Sequence, residues 1–187
     1  MKPHVKFLES LEFTVPSLKT AKTFNSLQQM VDECENLGWL LRLIYKSGVW
    51  SHQRMVAFAC HLLRNTPYND GKVSWDLMPD DKTKKVVEAL EAWTKGEITS
   101  EEVNSAMKST NYDPENLTWY AVKNAGFAVQ HVEFCPNAVN SCAQNLTYAV
   151  DKSSVRIAHS WQLIQWDEWT KDIDWNALVE KTNWINI

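Results

Sequence analysis

From Ser26 onward the apolar positions of this chain recur every three to four residues, the period of an amphipathic helix. Leu27, Met30, Val31, Cys34 and Leu37 share one face, which Ser26 opens as N-cap and Gly38 is expected to close. Trp39, Leu40, Leu43 and Ile44 predict a second, short and very apolar helix ending near Gly48. Ser51 caps a third, in which Met55, Val56, Ala59, Leu62 and Leu63 repeat until Asn65, Thr66 and Pro67. Tyr68 to Met78, with its Asn69-Asp70-Gly71 turn, is the longest predicted connection.

The plainest stretch runs from Pro79 to Lys108. Val86, Leu90 and Trp93 line one helical face behind Asp80 or Asp81 as cap, and Gly96 suits a left-handed helix end. Thr99 and Glu102 then form a capping box, flanked by Ile98 and Val103 at hydrophobic-staple spacing. Asp113, Pro114 and Glu115 start a further helix, whose Leu117, Ala121, Ala125, Ala128 and Val132, with Gly126 alongside, make a small-residue face suited to the centre of a bundle. Pro136 is expected to interrupt it and push Cys135 out of the helical region, before Val139, Cys142, Ala143, Leu146 and Val150 resume the period. After a break from Asp151 to Ser154, Ile157, Ala158, Trp161 and Ile164 predict a helix reaching about Lys171, and Asp174 caps a last one holding Leu178 and Val179. Only the start departs from this period: Phe7, Glu9, Leu11 and Phe13 alternate as in a short strand or extended arm.

The fold expected is therefore all-α, an antiparallel bundle of roughly seven to nine helices in one domain. Residues 1–25 would form the arm, 26–150 the helical core and 151–187 a Trp-rich acidic tail. The 187 residues, 44% apolar and 22% charged, suit one globular core. Without a membrane-length apolar run or a signal-like start, a cytoplasmic, non-membrane protein is expected. Cys34, Cys60, Cys135 and Cys142 each fall at an apolar helix position, which favours reduced thiols packed as small hydrophobes. A net charge of −4 argues against general nucleic-acid affinity.

Taken in order, the runs SLQQMVDECENLGWLLRLI, WSHQRMVAFACHLL, DDKTKKVVEALEAWTKGEITSEEV, AVKNAGFAVQHVEF and AVNSCAQNLTYAV resemble the Imm-5-like family of immunity proteins. Members of that family combine a tryptophan-leucine segment, a helix with an alanine-cysteine pair and an EAxxAWxxGEIxxEE hairpin with alanine-rich helices carrying histidines. The likeness spans about Ser26 to Val150 and is most specific from Glu88 to Glu102, leaving the tail outside it. It implies an all-helical protein that binds and blocks another protein, with no catalytic residues to carry over.

Candidate chemistry is sparse. His131, Cys135 and Cys142 lack the spacing of a structural zinc site, and no phosphate loop, nucleophile elbow or His-Glu-x-x-His motif occurs, so neither metal nor cofactor is expected. The adjacent Cys60 and His61 point to different faces of one helix. The tail is richer, with five of the ten tryptophans lying after Ser153. From Ser160 to Ile187 five acids face two lysines, so this segment carries −3 and the remainder −1. Trp166 lies about 140° round the helix from Trp161, so the two cannot face one core. Either Trp166, Trp169, Trp175 and Trp184 form a second small core that clamps the last helix down, or Trp166, Asp167, Glu168, Trp169, Asp172 and Trp175 form an acidic, aromatic docking surface.

The function expected is that of a non-enzymatic inhibitor of immunity or anti-defence type. Its partner would be a protein such as a toxin or defence nuclease with a basic cleft, with a homodimer left open. The alternatives are a helical enzyme drawing on His52, Cys60, His61, His131 or His159, and an acidic mimic of nucleic acid.

Overall fold

The computed structural model describes residues 1–110, 113, 115–149 and 153–182, so the readings made for Pro114, Val150, Asp151 and Trp184 fall outside the described residues. The helices, in order, are α1 (Pro3–Ser10), α2 (Val15–Ala21), α3 (Leu27–Asp32), α4 (Leu37–Lys46), α5 (His52–Asn65), α6 (Asp81–Thr94), α7 (Ser100–Lys108), α8 (Leu117–Gln130), α9 (Cys135–Tyr148), α10 (Ser154–Thr170) and α11 (Trp175–Thr182). Among the described residues there is no strand, and the architecture is an all-α antiparallel bundle whose eleven helices exceed the expected seven to nine.

Most helix starts follow their local sequence. Side-chain oxygens of Ser26, Ser51, Asp80 and Asp174 accept the N–H of Gln29, Arg54, Thr83 and Ala177 at 3.1, 3.2, 2.7 and 2.9 Å. The capping box closes in both directions, Glu102 N–H to Thr99 Oγ1 at 3.3 Å and Thr99 N–H to Glu102 Oε2 at 2.8 Å. Gly48 and Gly96 sit at φ 71° and 75°, where a side chain would be strained, and both follow a helix end.

Four expectations need correction. The N-terminal stretch is helical rather than extended: α1 buries His4, Val5, Phe7 and Leu8, a helical spacing that the accidental alternation of Phe7, Leu11 and Phe13 conceals. It packs against α2 and α11, and His4 Nε2 bonds the Ala21 carbonyl at 3.0 Å. Gly38 does not close α3; it lies in the first turn of α4, where an added Cβ would come within 2.7 Å of the Asn140 carboxamide. The helix expected from Asp113 begins at Leu117, with Asn116 Oδ1 accepting the Trp119 N–H at 3.0 Å. Pro136 starts a helix instead of breaking one, because an N–H missing from the first turn costs no helical bond, and Cys135 is helical at φ −51°, ψ −47°.

The core is organised around α9, which packs against α4, α5, α8 and α10, most extensively against α8. Small residues on α8 allow that approach, with Ala121, Ala125 and Ala128 all buried, while Gly126 faces Met107 of α7. One apolar cluster continues from Val5 in α1 to Val179 in α11, so the tail shares the main core instead of building a second one.

In α10 the buried positions are Ser154, Ala158, Gln162, Trp166 and Thr170, every fourth residue. This is the ridge a helix presents when it crosses a neighbour, and it differs from the expected stripe, since Ile157 and Ile164 are 42% and 56% exposed. Three of the five ridge residues are polar, which hid the ridge from the apolar pattern. Burial is tolerated where partners exist: Gln162 Nε2 donates to the Ala143 carbonyl at 3.0 Å, and its Oε1 accepts from Thr147 Oγ1 at 3.2 Å.

Candidate functional site

The tail tryptophans form a cluster, and burial sorts them. Trp166 and Trp175, 1% and 2% exposed, stack at 6.3 Å and 24°, and Trp166 also meets Trp50 at 5.4 Å. Trp169 is half-buried against Trp50 and Phe58, with ring centroids 5.8 and 5.2 Å away. Arg54 lies 5.4 Å from both the Trp50 and Trp169 rings and donates to the Trp169 carbonyl at 3.3 Å. Trp161 is half-buried and stacks on His61 at 5.6 Å. Trp166 and Trp175 are thus closed off from a docking partner, which corrects the reading of them as surface anchors.

The acids of the same segment remain outside. Asp167, Glu168 and Asp172 are exposed at the end of α10 and just beyond it. Glu168 meets Lys171 at 3.5 Å in a pair open to solvent. The Asp167 carboxyl is pushed above the usual Asp range by partial burial, and then by the nearby charges of Asp32 and Glu168. A carboxylate whose folded pKa is raised costs stability when ionised, and that cost vanishes below the unfolded pKa. Asp167→Asn is therefore expected to gain up to about 0.5 kcal/mol at neutral pH and nothing below the ordinary Asp range, as read by urea denaturation at both pH values.

His52, His61 and His131 have separate partners, whereas Cys34 and His159 border one cleft. His52 Nε2 bonds the Ala128 carbonyl at 2.7 Å, His61 Nε2 bonds Gln165 Oε1 at 2.8 Å, and His131 stacks on Phe127 at 4.0 Å. Burial raises the thiols of Cys60 and Cys142 and brings Cys135 to about 12, away from the thiolate a nucleophile needs. Cys34 lies in the loop after α3 rather than on a helix, and burial raises its thiol too. Among the described residues no group of three or more His, Cys, Asp or Glu could hold a metal ion, and no helix is long and apolar enough to cross a membrane.

A cleft that the sequence reading did not single out opens between the start of α4, the outer side of α9 and the first half of α10, with a volume of about 750 Å3. Asn140 and Gln144 of α9 and Arg156 and His159 of α10 line it, with Cys34 and Glu35 at the α3–α4 loop. Only His159 among these had been weighed for chemistry. A usable signal was present: Asn137, Asn140 and Gln144 fall at i, i+3 and i+7, a carboxamide face opposite the apolar stripe of Val139, Cys142 and Leu146.

Fold and surface together define an all-α antiparallel bundle locked by a buried tryptophan cluster, with an acidic face on its last helices. No family model matches this chain, and neither a curated protein nor a solved structure matches it.

Proposed function

We propose that the protein is a non-enzymatic inhibitor of immunity or anti-defence type, which docks its acidic face on a basic cleft of a protein partner such as a nuclease. The carrying observation is that Asp167, Glu168 and Asp172 stand exposed together around the end of α10, where like charge from Asp32 and Glu168 adds to the partial burial that raises the Asp167 carboxyl. A cationic partner surface would relieve that repulsion and be steered toward it. The resemblance of the sequence to the Imm-5-like family supports the same reading.

The test is titration of the purified protein against a panel of purified nuclease toxins. Stoichiometric loss of cleavage is expected for at least one. The triple variant Asp167→Lys, Glu168→Lys, Asp172→Lys should keep its thermal unfolding midpoint while its affinity falls at least about tenfold at low salt, and less as salt is added. Absence of inhibition across the panel, or undiminished inhibition by the triple variant, would reject the reading.

A further inference from the structure

The cleft between α4, α9 and α10 is independent of the acidic face, and while Gln162 and Thr147 in its wall bond each other, four further polar side chains there do not. Asn140 and Gln144 stand one turn apart on α9, Arg156 and His159 stand at i and i+3 on α10, and all four border one space. Among the described residues none of these four side chains is engaged in a hydrogen bond or ion pair with the protein.

The start of α4 completes the wall. Asn36 Oδ1 takes the Trp39 N–H at 2.9 Å, which leaves the N–H groups of Leu37 and Gly38 without an intrahelical acceptor. Gly38 has no side chain to cover them, and Asn140 lies against it so closely that even a Cβ would collide. These donors and Arg156 favour an anion, whereas Glu35, exposed at the rim, is the carboxylate that opposes one.

Anion binding alone would not require the rest. Asn and Gln carboxamides present a donor and an acceptor side by side, the arrangement that pairs with a heteroaromatic base edge. Tyr148, 60% exposed on the same cleft, offers a ring face for stacking. The volume of about 750 Å3 lies within the range of small-molecule sites. A second hollow of about 310 Å3 shares Asn36, Gly38, Asn140 and Gln144 and extends toward Arg42, leaving room for a longer anionic tail.

We infer that this cleft binds a nucleoside phosphate, its phosphate at the α4 start and Arg156, its base against Asn140, Gln144 and Tyr148. Isothermal titration calorimetry on the full chain with the four common nucleoside monophosphates and diphosphates tests this, with inorganic phosphate, ribose 5-phosphate and a short Asp/Glu peptide as controls. At least one nucleotide should bind with micromolar to millimolar affinity, and Arg156→Ala and Gln144→Ala, both exposed positions, should each weaken it about tenfold with unchanged unfolding midpoints. No nucleotide binding, phosphate or peptide binding as tight as the best nucleotide, or binding indifferent to both variants would overturn the inference. The acidic-face variant Asp167→Lys should bind nucleotide as the parent does, so failure of the inhibitor reading and failure of this one are distinguishable.

Discussion

Trp166→Ala is expected to destabilise the protein by about 3–5 kcal/mol, the range for truncating a large buried aromatic. Trp166 is among the largest fully buried side chains, and its ring bridges Trp50, at the turn before α5, and Trp175 of α11. Removing it leaves a void between three elements that cannot collapse together. Trp166→Phe should behave differently, because the indole Nε1 is buried with no hydrogen-bond acceptor. An unsatisfied buried donor costs roughly 1–3 kcal/mol, so deleting it offsets much of the volume lost, and a net change within about 1 kcal/mol is expected. Urea denaturation of both variants measures this; a phenylalanine as damaging as the alanine would mean the N–H is well satisfied.

The second large effect lies at the α7–α8 contact. A Cβ built on Gly126 would stand 1.9 Å from Met107 Sδ, so the glycine exists to let that side chain lie across α8. Gly126→Leu should cost about 1–2 kcal/mol net, overpacking exceeding the helix propensity gained. Gly126→Ala should cost far less, since Met107 is flexible and borders a hollow of about 270 Å3 lined also by Thr83, Trp119 and Val122, into which it can turn. Combining Gly126→Leu with Met107→Ala should recover stability, with a favourable coupling of about 1–2 kcal/mol in the double-mutant cycle. Additive losses would show that the two residues do not share the space.

Neither effect could be ranked from the sequence, although both residues had drawn notice there. Gly126 was visible beside the alanines of α8, but its partner on α7 was not, because the closeness of two helices is a property of their crossing. The candidate surface shows the same division. That Trp161 and Trp166 must face apart follows from helical geometry alone. Which of them goes inward was settled by Trp50 and Phe58 around α5 and by Trp175 of α11, two distant parts of the chain. The cleft stayed hidden because its wall combines a loop, a helix start and two helices, each unremarkable alone.

The sequence by itself determined the helices with a local cause: Ser26, Ser51, Asp80, Thr99 and Asp174 set their starts through hydrogen bonds spanning three residues. Gly48 and Gly96 mark ends through backbone freedom, and the all-α class followed from the period. The tertiary structure decided what depends on distant neighbours. It made α1 a helix packed on α11, put Ser154, Gln162 and Thr170 inward, and gathered Asn140, Gln144 and Arg156 around one space. Caps and turns are short-range and legible in a few residues, whereas burial of a polar group requires a partner that only the packed chain brings near.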